Sequence, residues 1–265
     1  MGHPVMVAAM SQHRKTGQLS WRRLTVLLAS GVTVLAGCSD GGEDPTSYDE
    51  GSPLASVVAA VEGAGSVHLS LGTQTRRGEV EMDVTWEDED AFRAVAGTGT
   101  ASRLDVRRVD DKVYVGGEAV GLQWTYLEVD DPRLQGEGGF DAGPVPVLLA
   151  VDVPGELEAL AAAVQETRDL GEEQVEGVTA KHLELTVDSK AWQAELPEES
   201  MHAQMDLPET VTMDLWVDEQ DLPVRWDYEG QGSTEGGKDD TARLYFTGWG
   251  DPVEVKVPGR AQPVE

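Results

Sequence analysis

Val211-Thr-Met-Asp-Leu-Trp-Val217, then Asp218-Glu-Gln-Asp221, then Leu222-Pro-Val-Arg-Trp-Asp-Tyr228 decides the fold class of this chain. Apolar side chains recur at every second position on both sides of a four-residue polar turn. A period of two is that of a β-strand, whose side chains alternate between faces, and a short Asp-rich turn joins two antiparallel neighbours. One apolar face and one wet face mark an antiparallel sheet covered on a single side, not a parallel sheet buried on both. The reading turns Val211, Met213, Leu215, Val224 and Trp226 toward the core.

The same period spreads outward from this hairpin. Upstream it runs through Val67, Leu69 and Leu71; Val80, Met82, Val84 and Trp86; Leu104 and Val106; Val113 and Val115; and the stretch from Trp124 to Val129. A weaker run holds Phe92 and Val95. It returns at Gln174-Val175-Glu176, at Leu183, Leu185 and Val187, and at Leu244 and Phe246. Thr75-Arg76-Arg77-Gly78, Asp88-Glu89-Asp90, Asp110-Asp111 and Gly116-Gly117 separate the strands with hairpin chemistry. About ten strands result.

Helical spacing interrupts this pattern in few places. Ser52-Pro53 offers an N-cap and a proline at the first helical position, ahead of Leu54, Val57, Val58 and Val61 on one stripe. Gly63 and Gly65 stop that helix. Val145 to Val151 is a short apolar segment, and Pro154 opens a helix with Leu157, Leu160, Ala161 and Val164 on one face, ending before Gly171. Asp188-Ser189 caps a helix from Lys190 to Leu196, and Pro197 to Pro208 reads as a polar loop. Helices that fall at the start and the middle, not between every pair of strands, argue α+β: a strongly curved antiparallel sheet with helices covering its concave face.

Ahead of this domain the composition changes. Arg14, Lys15, Arg22 and Arg23 precede an apolar run from Leu24 to Leu35, which ends in Leu35-Ala36-Gly37-Cys38. Basic, apolar and small-residue regions in that order make a secretory signal peptide, and the run is too short for a comfortable span of about 20 residues. Cys38 is the only cysteine, so no disulfide within the chain is available. Met6 or Met10 are alternative starts, and Arg22-Arg23 is a weak twin-arginine signal. Residues 39 to 52 hold Ser, Asp, Gly, Glu and Pro and little else, the composition of a flexible tether. The organisation is therefore a signal segment 1–37, an anchor and linker 38–52, one domain 53–258 and a frayed tail 259–265.

The 265 residues carry 49 acids against 20 Lys and Arg, a formal charge of −29. Loss of the first 37 residues removes four of those bases and no acid, leaving −33. Such a surface repels nucleic acid and anionic headgroups. His68 and His182 fall on the polar parity of their strands, and His202 lies in a polar loop. No histidine pair has metal spacing, and no nucleophile elbow or phosphate-cradling loop occurs. Glu87-Asp88-Glu89-Asp90 and Asp239-Asp240 lack the spaced ligands of a calcium loop. These absences argue against an enzyme, and no cofactor is implied.

Leu35-Ala36-Gly37-Cys38 is a full lipobox and resembles the processing site of bacterial lipoproteins. That resemblance implies cleavage before Cys38, acylation (palmitate among the chains) of its sulfur, and a chain held by lipid on the outer face of the cell membrane. Two or more acyl chains anchor stably where one does not. Three further stretches, Lys112-Val-Tyr-Val with Trp124-Thr-Tyr, Gly171-Glu-Glu-Gln-Val-Glu-Gly-Val-Thr, and Leu215-Trp-Val-Asp-Glu with Leu222-Pro-Val-Arg, resemble the LppX/LprG-type actinobacterial lipoproteins. The resemblance covers roughly Pro53 to Thr247 and implies a half-barrel whose helices enclose an apolar cavity. Family members bind acylated lipids or lipoglycans there and carry them within the cell envelope, and the fold is similar to that of periplasmic lipoprotein carriers.

On this reading the cavity candidates are Val80, Met82, Val84, Val147, Leu148, Leu157, Leu160, Leu183, Leu185, Met213, Leu215 and Trp226, under a roof formed by the helices at 53–61 and 154–164 and the segment 145–151. The Gly136–Gly143 stretch would let that roof move. The partners expected are the membrane, through Cys38, and an acylated lipid, with the protein a monomer. The alternative is a surface lipoprotein of the same fold with a solid core, serving protein interaction or structure.

Overall fold

The structure is a computed structural model that describes residues 52, 54–73, 79–87, 91–97, 102–121, 123–135, 143–229 and 241–264. The signal segment, Cys38, residues 39–51 of its tether, Pro53, the separators at 75–78 and 88–90, residues 136–142 and the pair Asp239-Asp240 lie outside them. Twelve strands are present among the described residues: β1 (Ser66–Thr73), β2 (Val80–Thr85), β3 (Ala91–Ala96), β4 (Leu104–Val109), β5 (Lys112–Gly116), β6 (Thr125–Glu128), β7 (Val164–Val175), β8 (Val178–Asp188), β9 (Thr210–Val217), β10 (Pro223–Glu229), β11 (Thr241–Thr247) and β12 (Gln262–Pro263). The four α-helices are α1 (Ala55–Ala64), α2 (Val145–Leu149), α3 (Val153–Ala163) and α4 (Ser189–Glu195).

All twelve strands join one sheet in the order β12-β6-β5-β4-β3-β2-β1-β11-β10-β9-β8-β7. Every neighbouring pair is antiparallel except β12 with β6. The sheet is curved and unclosed, so the class is α+β with a half-barrel, as the alternation requires. All four helices join one apolar core with a single face of the sheet. The other face carries its own chemistry: the Asp105 side chain, only 2% exposed, is held by Arg103 and Arg107 at 3.0–3.1 Å. Asp227 is likewise held by Arg225 and Arg243.

Several boundaries differ from the sequence reading, each for a physical reason. Ser52 is not the N-cap of α1; that place is Leu54, and the Ser52 hydroxyl accepts the Leu54 N–H at 3.3 Å. The helix runs through Gly63 to Ala64 and ends at Gly65, in the left-handed region at φ 78°. A Cβ there would lie 2.6 Å from the Glu87 side chain, which is exposed and free to swing aside, so it is the left-handed conformation that calls for glycine. The stretch between α3 and Gly171 is not helix but the start of β7, which runs unbroken to Val175. β7 is an edge strand paired only with β8, exposed along nearly its whole length, so it shows no period in its apolar residues. The tail does not fray: Gln262 and Pro263 pair with Thr125 and Tyr126, and Val264 packs against the core.

Val224 is a correction of the same kind. The register pairs Pro223 with Val217 and Arg225 with Trp216, so Val224 is the extra residue of a β-bulge. It therefore joins Trp216, Val175 and Ala180 in a small cluster apart from the main core. Beyond the bulge, parity resumes: Trp226 faces Leu215 and Tyr228 faces Met213 across the pair, and all four are in the main core. Leu215→Ala should cost about 2–5 kcal/mol in denaturant unfolding, whereas Thr212→Ala, on the exposed parity of the same strand, should change stability by less than about 0.5 kcal/mol.

Candidate functional site

Strand register assembles an apolar floor at the centre of the sheet. Across β2, β1 and β11 the pairs Met82–Leu69–Phe246 form one row. Val80–Leu71–Leu244 form the next, which continues to Trp226 on β10 and to Ala96 on β3. Above this floor stand Val147 and Leu148 of α2, the connector Ala150-Val151, and Val153 and Leu157 of α3. Met201 and His202 close one end, from the segment between α4 and β9. Floor and roof do not meet. They leave a cavity of about 190 Å³ with almost wholly apolar walls.

α3 takes its place because Asp152 caps it, its carboxylate accepting the Gly155 N–H at 3.1 Å. The cap turns Leu157 and Leu160 inward, both at most 2% exposed. It also brings Glu156, one residue before Leu157, to the cavity wall. α2 is a five-residue helix with Val145 and Leu148 buried. A helix this short covers little sheet, which is why space remains beneath it.

Of the expected cavity residues, Val80, Met82, Val147, Leu148, Leu157 and Trp226 line this space. Val84, Leu160, Leu183, Leu185, Met213 and Leu215 are buried in the same core but away from it. There α3 and α4 pack on β8. α1 was expected in the roof; it packs on α3 instead and contributes nothing to the lining. Leu69, Leu71, Leu244 and Phe246 were not singled out, although their parity was visible; what was missing was which strand they lie beside.

The polar end of the cavity departs most from expectation. His202, assigned to a polar loop, is 1% exposed, on a 3-10 turn that folds under the helices. Its ring lies against Trp192, Trp226 and Tyr228, with centroids 4.9, 5.6 and 5.1 Å away. Its Nε2 is 2.9 Å from the Tyr228 hydroxyl. Its Nδ1 approaches Glu156 Oε2 to 3.1 Å without hydrogen-bond alignment, and so has no hydrogen-bond partner. Burial drives the Tyr228 phenol well above the usual tyrosine range, with the Glu156 charge adding to the shift, so the hydroxyl keeps its proton. Among the described residues, Glu156 and His202 are the only ionisable ones on the cavity wall.

The other two described histidines face away. His68 bridges Asp83 at 2.8 Å and Glu81 at 3.0 Å, and His182 stacks on Trp216 between Asp214 and Glu173. A second depression of about 500 Å³ lies by the β7–β8 and β9–β10 turns, but its lining is mostly polar, with Glu172, Asp218, Glu219 and Asp221 among it. Among the described residues no group of three His, Cys, Asp or Glu is placed to hold a metal ion, and no helix is long and apolar enough to cross a membrane.

The structure matches that of LprF from Mycobacterium bovis with a TM-score of 0.50 at 14% identity, covering 78% of this chain and 95% of that one. It also matches the lipoprotein LppX from Mycobacterium tuberculosis with a TM-score of 0.46 at 16% identity, covering 77% and 97%. No family model and no curated protein matches the sequence. At these identities the likeness is one of fold.

The buried phenol sets a pH dependence. Its folded pKa lies above its unfolded value, so the stability it contributes is complete below about pH 10, the unfolded value, and is lost as pH rises beyond that. Alkaline unfolding followed by circular dichroism should therefore show stability falling above about pH 10. Tyr228→Phe should flatten that slope while costing about 1–3 kcal/mol at neutral pH, because His202 Nε2 loses its partner.

Proposed function

We propose that this chain is an exported lipoprotein that takes an acyl chain into the cavity between β1, β2, β10, β11 and the α2–α3 roof, and carries it within the cell envelope. The observation that carries the reading is the cavity itself: about 190 Å³ of apolar-walled space at the middle of an otherwise well-filled core. Apolar-walled space favours an apolar occupant over water, which finds no hydrogen-bond partners there. Each methylene moved into it from water gains about 0.8 kcal/mol. Binding then needs no charged grip, in keeping with a chain that has 49 acids and only 20 Lys and Arg.

The volume limits the ligand. A cavity of about 150 Å³ accepts benzene, and pockets for whole drug-sized molecules run to about 300–1,000 Å³. The cavity as it stands seats one short acyl segment; a longer chain requires α2 to move off the sheet. The binding residues on this reading are Val80, Met82, Val147, Leu148, Leu157 and Trp226 from the sequence, joined by Leu69, Leu71, Leu244 and Phe246. One chain encloses the site, which suits a monomer, and no step in the reading requires catalysis. Cys38 would tie the chain to the outer face of the cell membrane through its acyl groups.

Two experiments test this. Native mass spectrometry of protein from a native-like host should show an adduct of lipid mass that solvent extraction removes and that Val147→Trp or Leu148→Trp, by filling the cavity, abolishes. An apo mass with no uptake of added lipid would replace the carrier with a solid-core interaction protein. For the anchor, Cys38→Ala should release the protein from the membrane fraction; retention with the apolar segment still attached would refute lipidation.

A further inference from the structure

We infer that Glu156 and His202 form a hydroxyl-recognition site inside the cavity, so that the ligand is an apolar chain whose hydroxyl enters with it. This rests on the carrier reading and narrows it. An apolar cavity has no need of ionisable groups, and burying them carries a cost. Yet helix α3 and the 3-10 turn at His202–Gln204 bring two of them together there. His202 is 1% exposed, its Nδ1 lacks a hydrogen-bond partner, and the Nε1 of cavity-lining Trp226 lacks one too. Buried polar atoms are almost always satisfied, so these orphans mark a place where a ligand atom completes the set.

The chemistry of the missing group follows from the network. The Tyr228 hydroxyl, buried and 2.9 Å from Nε2, donates there, which leaves the ring proton on Nδ1. Nδ1–H is a donor, and the Glu156 carboxylate beside it, at 3.1 Å, is an acceptor. One ligand group that both accepts and donates serves both at once, and a hydroxyl does so without bringing charge. A ligand carboxylate would set two anions side by side, and an ammonium would have to shed its water in an apolar-walled space. The ether or methyl counterpart of the alcohol leaves Glu156 unanswered.

The test uses the full chain carrying Cys38→Ser, with isotope-labelled methionine methyl groups. Met82 and Met201 both line the cavity, so their signals report occupancy at this place and no other. The probes are 1-hexanol, methyl pentyl ether and n-hexane, titrated by nuclear magnetic resonance. The expected result is that 1-hexanol binds about tenfold or more tightly than the ether, the scale of one hydrogen bond to a charged group. Glu156→Leu and His202→Phe should each reduce the alcohol to the level of the ether while n-hexane still binds. Should His202→Phe not fold, the three probes on the otherwise unaltered chain and the Glu156→Leu variant decide alone. Equal affinity for alcohol and ether, or an alcohol preference that survives Glu156→Leu, would overturn the hydroxyl site and leave the carrier reading standing. If n-hexane too fails to move Met82 and Met201, both readings fall.

Discussion

Twelve strands in one unclosed sheet present a broad apolar face, and among the described residues four α-helices of 10, 5, 11 and 7 residues cover it. The rest of the structure depends on how that cover is distributed. α3 and α4 lie directly on β8, and there Leu183, Leu185 and Trp192 are at most 4% exposed. α1 reinforces α3 from the side. The floor made by β1, β2, β10 and β11 is left to the shortest helix, the first turns of α3 and loops, and the cover there is incomplete. The cavity is thus a consequence of where helix length was placed, not of any unusual residue in the sheet.

The open sheet must also protect its outer face and edges. The outer parity is laced with ions: Arg93 and His68 on Asp83, Arg107 on Asp105, Arg225 on Asp227. The pairs on Asp83 are partly exposed and contribute little on their own, whereas Asp105 and Asp227 are buried against their arginines. Their effect is that the wet face of the sheet cannot be mistaken for the dry one, which fixes strand register against a one-residue slip. At one edge β7 is polar and bulged, between Val164 and Glu166 and again between Asp169 and Gly171. Bulges and charge are the usual means by which an edge strand avoids pairing with another chain.

Against this dry interior the Glu156–His202–Tyr228 line is the exception. It joins α3, the loop before β9 and β10, three pieces distant in sequence, at the point where the cavity ends. The aromatic rings of Trp192, Trp226 and Tyr228 surround His202 and exclude water from it. Polar groups so placed hold a loop of otherwise polar residues against the core, and they give the hollow a chemical direction that walls of Val, Leu and Met lack.

The sequence by itself determined the strands and their faces, because a period of two is a local property that each strand carries alone. The pairs Leu69 and Leu71, Val80 and Met82, and Leu183 and Leu185 were legible in this way, and so was the cap at Asp188, whereas the cap at Asp152 was not. Where local pattern was weak, as along the mostly exposed β7 ahead of Gln174 and in the two residues of β12, the sequence read wrongly as helix and as frayed tail. Val224 misled it, since a bulge is set by the pairing of two strands and leaves no mark on either. Only the tertiary structure decided which apolar residues surround a void and which pack solid. That distinction separates Met82 from Met213 and Leu157 from Leu160, residues alike in type, period and burial. It depends on the length of the helix overhead and on which strands lie side by side, and neither is written in the alternation of a single segment. The same holds for His202: a polar loop looks exposed until the fold tucks it beneath a helix whose Glu156 and a strand whose Tyr228 are waiting to meet it.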